Sequence, residues 1–185
     1  MTKYEQLQEF LKDNQKTWLI TGVAGFIGSN LLEKLLVLNQ KVIGLDSFET
    51  GYQHNIDEAI IDANNIAGKN LNDNFKFIEG NISSLNDCKK ACDGADYVLH
   101  QAAIGSVPRS IEDPISTNRS NIDGFINMLV ASRDAKVKRF VYAASRGPES
   151  YAFCPTFTYF MHFQYFSLQC VYHYVCIHER LVTST

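Results

Sequence analysis

Residues 17–28 read TWLITGVAGFIG, and the spacing of the three glycines in this stretch decides the fold. Thr17–Thr21 is a short apolar run closed by Gly22, the pattern of a buried strand. From Ile27 to Asn39 the apolar residues Ile27, Leu31, Leu32, Leu35, Leu36 and Leu38 return at helical spacing. Strand and helix are joined by a turn carrying Gly22, Gly25 and Gly28, and each glycine has a mechanical use. Gly22 permits the tight turn, Gly25 lets backbone come close to a pyrophosphate, and Gly28 lets helix and strand pack closely. The helix start then offers free N–H groups and a positive dipole end. Asp46 closes the next apolar run, KVIGLD (41–46), 18 residues past Gly28. A carboxylate there accepts from ribose hydroxyls and repels a 2′-phosphate, so the expected cofactor is NAD and not NADP. The plainer alternative is a glycine turn without a ligand and an Asp that merely ends a strand.

Outward from this turn, residues 17–145 keep alternating short apolar runs with helical patterns, the mark of βαβ units and a parallel sheet. Further strands are expected at Phe75–Glu79, Asp96–His100 and Arg139–Ala144. Helices are expected at Gln53–Ile66, at Leu85–Cys92, and as one long helix starting at Asp113–Pro114 and reaching about residue 134. The expected fold class is α/β, a Rossmann-type parallel sheet with strand order 3-2-1-4-5. Residues 1–16 read as an N-terminal helical extension. The whole chain has 185 residues, 45% of them hydrophobic, and a net charge of -3, which excludes disorder for most of its length. No basic block suggests a nucleic-acid partner. The N-terminus has no apolar core of a secretory signal, and five Cys without a CxxC pair fit a reducing cytoplasm.

With these residues placed, the chain resembles the extended short-chain dehydrogenase/reductase family of NAD-dependent nucleotide-sugar epimerases and dehydratases. TGVAGFIG matches the family's TGxxGFIG, which implies cofactor contacts from Phe26 and Ile27 beside Gly22, Gly25 and Gly28. Gly80-Asn81-Ile82 stands where the family has Gly-Asp-Ile/Val beside adenine, so Asn81 and Ile82 are cofactor candidates and Asn81 is a departure. HQAAIGSVPRS (100–110) is similar to the fourth-strand exit that lines the cofactor with Gln101, Ala102 and Ala103. Its Gly105 and Ser106 are the implied substrate contacts, and GSVPRS looks like the UDP-N-acetylglucosamine/UDP-glucuronic acid 4-epimerase branch of surface polysaccharide synthesis. Asn121 in NIDGF fits the family's N-V-x-G-T, and Ser145 stands where the family has its catalytic Ser/Thr.

The resemblance implies a UDP-sugar partner whose C4 hydride passes to NAD and returns to the other face. A Tyr with a Lys four positions later handles the proton. It also implies a dimer through the long helix (114–134) and the helix bearing that pair; only the first has a counterpart here. No Tyr in the 185 residues is followed by Lys at that distance; Tyr165, the nearest in position, is followed by Phe-Ser-Leu-Gln. The family's substrate domain is not expected in this chain, and the Rossmann domain is expected to be incomplete and without epimerase activity. One alternative function is an NAD-binding module without catalysis; another is a UDP-glucuronate 4-epimerase relative.

Composition breaks where the resemblance stops. Residues 146–185 hold 10 of the 22 aromatics and no Lys, and Ser150–His178 holds no Asp, Glu, Lys or Arg. This segment reads as a non-homologous tail left by a frameshift or truncation after Ser145. It is long enough to cross a bilayer, but Pro155, Gln164, Gln169 and three His argue against a membrane span. Cys170, His173, Cys176 and His178 fit no standard zinc pattern, so no metal site is expected. Elsewhere, Cys88 and Cys92 read as inert helix-face thiols, His100 as a packed histidine, and Arg109 as either a diphosphate contact or a surface ion pair.

Overall fold

The computed structural model describes residues 2–143. Ser145, Tyr165 and the Cys/His cluster of the tail lie outside the described residues. Five strands, β1 (Thr17–Thr21), β2 (Lys41–Asp46), β3 (Phe75–Glu79), β4 (Tyr97–His100) and β5 (Arg139–Tyr142), form one parallel sheet in the order β3-β2-β1-β4-β5. Leu19 lies level with Ile43 on one side and Val98 on the other, and all three turn to one face. Ile20, one position later, turns to the opposite face, as the two-residue period of a strand requires.

Each face is covered by helices whose apolar stripes match it. Helices α2 (Phe26–Val37) and α3 (Gln53–Ala67) cover Ile20 and Val42 with Leu32, Leu36, Ile56 and Ala63. Helix α4 (Leu85–Cys92) and the long helical run after residue 113 cover Leu19, Leu45 and Val98 with Cys88, Ala91, Met128 and Ala131. Cys88 and Cys92 are therefore core residues and not surface thiols, and burial pushes the Cys88 thiol up to about 12. At the N-terminal edge of the sheet, Asp96 ties three strands together. It accepts from the Thr17 N–H at 3.0 Å and from the Lys138 ammonium at 2.6 Å, and the lysine holds its carboxyl below the usual range.

Two helical elements differ from the sequence expectation. The segment after β4 holds a short helix, α5 (Val107–Glu112), opened by Ser106 as N-cap with a Pro in its first turn. The long helix is also not uniform. It runs as α6 (Pro114–Asn118), a widened π turn (Arg119–Asp123) and α7 (Gly124–Asp134). The widened turn contains Asn121, anchored on the Ile104 main chain, and is followed by Gly124, packed against Ile82; a Cβ on Gly124 would lie 2.7 Å from Ile82 Cδ1. Among the described residues no helix is long and apolar enough to cross a membrane.

The N-terminal extension is helix α1 (Lys3–Asp13), opened by a capping box between Thr2 and Glu5. It docks through one fully buried residue, Gln40. The Gln40 carbonyl accepts from the Lys16 N–H at 3.0 Å and the Trp18 indole at 3.1 Å. Its amide donates to the Leu11 and Leu38 carbonyls at 2.7 and 3.0 Å. All four bonding positions of the amide are filled. Gln40→Leu would remove four hydrogen bonds, two of them buried, and the expected cost is about 3 kcal/mol. Urea unfolding checks the magnitude, and faster amide exchange in α1 should accompany it; an unchanged midpoint would show that α1 is held otherwise.

Candidate functional site

The chain runs outward from β1 to β3 on one side of the sheet, then crosses to β4 and β5 on the other. Sheets of this kind leave a crevice at the carboxyl ends of the strands where the order reverses. Here a cleft of about 550 Å³ opens at that point, walled by the glycine turn, the ends of β2 and β3, and the exit of β4. Gly22, Gly25, Asp46, Asn81, Ile82, Gln101, Ala102 and Ala103 all line it, so the structure brings together eight of the residues singled out in the sequence.

The glycine turn is built from close backbone approaches. Gly22 has φ +70°, and a Cβ there would stand 2.9 Å from the Ala102 main chain. Its N–H donates to the Leu45 carbonyl at 2.8 Å, which ties the turn to β2. A Cβ on Gly28 would fall 2.1 Å from the Gly22 carbonyl oxygen, so Gly28 admits the turn itself against the helix. Gly25 is different: it has φ −82°, open to any residue, and an added Cβ would meet only the Gly22 oxygen at 3.3 Å. Beyond that one close contact, nothing further stands within 4 Å of it. Helix α2 starts there with no side-chain cap, so its first N–H groups are available at the cleft. Phe26 and Ile27 occupy the first positions of that helix. Phe26 is 70% exposed, and neither residue lines the cleft wall.

Asp46 is buried at the floor. One carboxylate oxygen accepts from the Ala24 N–H at 2.9 Å, the other from the Phe48 N–H at 2.8 Å. Each oxygen retains a lone pair, so the carboxylate both braces the turn and presents acceptors to the cleft. Asn81 uses its side-chain oxygen on the Ser83 N–H at 2.8 Å, and Ile82 is mostly core, under Gly124.

The other candidates do not line this cleft. Asn121 is spent on a neighbour: its oxygen accepts from the Ile104 N–H at 2.7 Å and its amide donates to the Ile104 carbonyl at 2.9 Å. It fixes the 101–104 wall and does not itself line the cleft. Gly105 and Ser106, expected at the substrate, lie outside the cleft lining; the Ser106 hydroxyl accepts from the Arg109 N–H at 3.3 Å as the α5 cap. Arg109 stands 4.0 Å from Glu49, the ion-pair reading of that residue. Sequence reading missed Glu49, Gly51 and Ser120 as lining residues. For Gly51 a signal existed in the ETGY turn after Asp46, since a Cβ there would lie 2.7 Å from Ala24 Cβ.

Comparison with known proteins agrees with this geometry. Residues 18–153 match the NAD dependent epimerase/dehydratase family. Protein CapI of Staphylococcus aureus is 37% identical over 129 residues, which cover 69% of this chain and 37% of that protein. The crystal structure of a UDP-glucose-4-epimerase from Stenotrophomonas maltophila, with bound NAD and formylated UDP-arabinopyranose, superposes with a TM-score of 0.61 at 28% identity, covering 76% of this chain and 40% of that one. A UDP-N-acetylglucosamine 4-epimerase from Methanobrevibacter ruminantium in complex with UDP-N-acetylmuramic acid gives 0.60 at 26%, covering 77% and 43%. The chain thus spans about two fifths of the length of these relatives.

Beneath the wall lies a buried pair that sets its position. The Thr21 hydroxyl oxygen accepts from the Gln101 and Ala102 N–H groups, both at 3.2 Å. With both lone pairs engaged, its proton goes to His100 Nδ1 at 2.7 Å, which makes His100 a neutral imidazole accepting at Nδ1. Its ring packs between Phe125 and Phe140, and burial pushes its pKa down to about 4. As pH falls from the ordinary value of 6.5 toward 4, the unfolded chain takes up the proton and the folded chain does not, so stability is full above that window and falls through it. The expected loss is on the order of 3 kcal/mol. Urea unfolding across the window, compared with His100→Gln, checks this: the variant should lose that part of the slope, and equal slopes would contradict it.

Proposed function

Because the chain belongs to the NAD dependent epimerase/dehydratase family, we propose that residues 17–143 form the NAD-holding part of a UDP-N-acetylhexosamine 4-epimerase, and that these 185 residues alone bind the cofactor without epimerising a sugar. The observation that carries the reading is the uncapped start of α2, open beside Gly25 and facing a cleft floored by Asp46. The main-chain N–H groups of Phe26 and Ile27 would take the diphosphate, Asp46 the adenosine ribose, and Gln101–Ala103 the wall along the dinucleotide.

When bound, the nicotinamide supplies hydride transfer. The chain's own part is placement. The Thr21–His100 pair fixes Gln101 and Ala102, Asn121 fixes Ile104, and Asp46 locks the turn to β2. Ser145 is the residue we assign to the substrate oxygen. A phenol with pKa near 10 needs a neighbouring cation to work as a base near neutrality, and no Tyr here carries a Lys four positions later. That is why binding without turnover is the reading for this chain alone. The N-acetylhexosamine assignment draws support from GSVPRS and from the likeness to the UDP-N-acetylglucosamine 4-epimerase structure.

Calorimetric titration with NAD, followed by incubation with UDP-N-acetylglucosamine, tests both halves. The folded chain should bind NAD and yield no epimer. Gly25→Ala, at a backbone angle any residue accepts, should keep the melting point yet weaken NAD about tenfold, or about 1.4 kcal/mol. A folded protein indifferent to NAD would contradict the binding half, and appearance of the epimer would contradict the other.

A further inference from the structure

The cleft continues past Asp46 into a second cavity lined by Asn81, Ser83, Arg119, Ser120 and Glu49. Asn81 lines both spaces, and β3 delivers it there: Glu79 pairs with Asp46 and the Gly80 N–H bonds the Asp46 carbonyl at 3.0 Å, so Asn81 stands two residues beyond the Asp46 level. If the ribose lies at Asp46, the base of the dinucleotide reaches Asn81 next. The chemistry of that side chain then decides which edge of the base is favoured.

The amide orientation follows from a backbone bond. The Ser83 N–H, a donor only, points to the Asn81 side-chain oxygen at 2.8 Å, so that atom is the oxygen and the other is nitrogen. The Asn81 main-chain N–H is taken by Asp87 at 3.3 Å. Nδ2, carrying two donors, has no protein partner among the described residues. Arg119 lines the same cavity and its guanidinium adds donors there, while its main-chain carbonyl accepts from Ser83 Oγ at 3.2 Å. One carboxylate, Glu49, lines the cavity as well, and it stands 4.0 Å from Arg109.

We propose that Asn81 presents an amide N–H to the base, so that this end of the cleft selects a ring-nitrogen acceptor and gives no anchorage to an exocyclic amino group. This rests on the cleft holding a dinucleotide, as proposed above. A donor facing the 6-amino group of adenine would meet another donor, while the unprotonated ring nitrogens remain good partners. Asn81→Asp replaces the nitrogen by an oxygen, keeps the bond from the Ser83 N–H, and turns the same position into an acceptor for the amino group.

The test compares binding of NAD with that of nicotinamide purine dinucleotide, which lacks only the 6-amino group and keeps the ring nitrogens. The full chain should bind the two within about twofold, and Asn81→Asp should prefer NAD by about tenfold, the scale of one hydrogen bond gained in a partly buried site. Asn81→Ser, which keeps an acceptor for Ser83 and replaces the two amide donors by one hydroxyl on a shorter side chain, should weaken both ligands equally; it covers the case in which a new carboxylate beside Asp87 disturbs the fold. A tenfold preference of the unmodified chain for NAD would overturn the proposal, as would a preference that moves with Glu49→Gln and not with Asn81→Asp. If neither dinucleotide binds a chain whose circular dichroism is native, the cleft reading falls and this proposal with it.

Discussion

Where β1 ends and β4 ends, two backbones run closer than any side chain would permit. Gly22 can face Ala102 only because it has no Cβ, and Gly28 can face Gly22 for the same reason. This double approach brings the start of α2 onto the crevice with its N–H groups open. The remaining architecture holds that contact in place. Leu45 takes the Gly22 N–H, Asp46 takes the Ala24 N–H, and the Thr21 hydroxyl takes two N–H groups from the opposite wall. The cleft is therefore fixed before any ligand arrives, and its ordering cost is carried by the fold.

The electrostatics are arranged to keep the floor from competing with a bound anion. His100 is neutral because burial favours the neutral ring, and the Thr21 proton satisfies it. Asp46 has its charge spread over two main-chain donors, one from the turn and one from its own loop. A carboxylate so held would meet the ribose of the proposed cofactor, while the start of α2 would meet its diphosphate. The ion pair of Asp96 and Lys138 sits at the opposite edge of the sheet, so it bears on strand registry and leaves the cleft alone.

Sequence carried much of this because glycine spacing, strand alternation and the Asp46 position are local signals that survive into the fold without tertiary override. The strand order and the bounds of β3 and α4 follow the apolar pattern to the residue. What stayed hidden depends on contacts between distant segments. Gln40, a polar residue in the short link between α2 and β2, carries no local mark of burial, yet it is buried with four partners, three of them from residues 11–18. Asn121 carries the right motif, but only its geometry shows that both ends of the amide go to Ile104. Ser106 carried a cap signal, Ser-Val-Pro, that the loop reading passed over. The π turn at Arg119–Asp123 has no compositional mark at all.

Backbone amide chemical shifts of the isotopically labelled chain, recorded with and without NAD, would show where the dinucleotide sits. The largest shifts should fall at Phe26, Ile27 and Gly28, with a second set at Gln101–Ala103 and a third at Asn81, and little change in α1. Shifts confined to other segments, or none at saturating ligand, would contradict that placement.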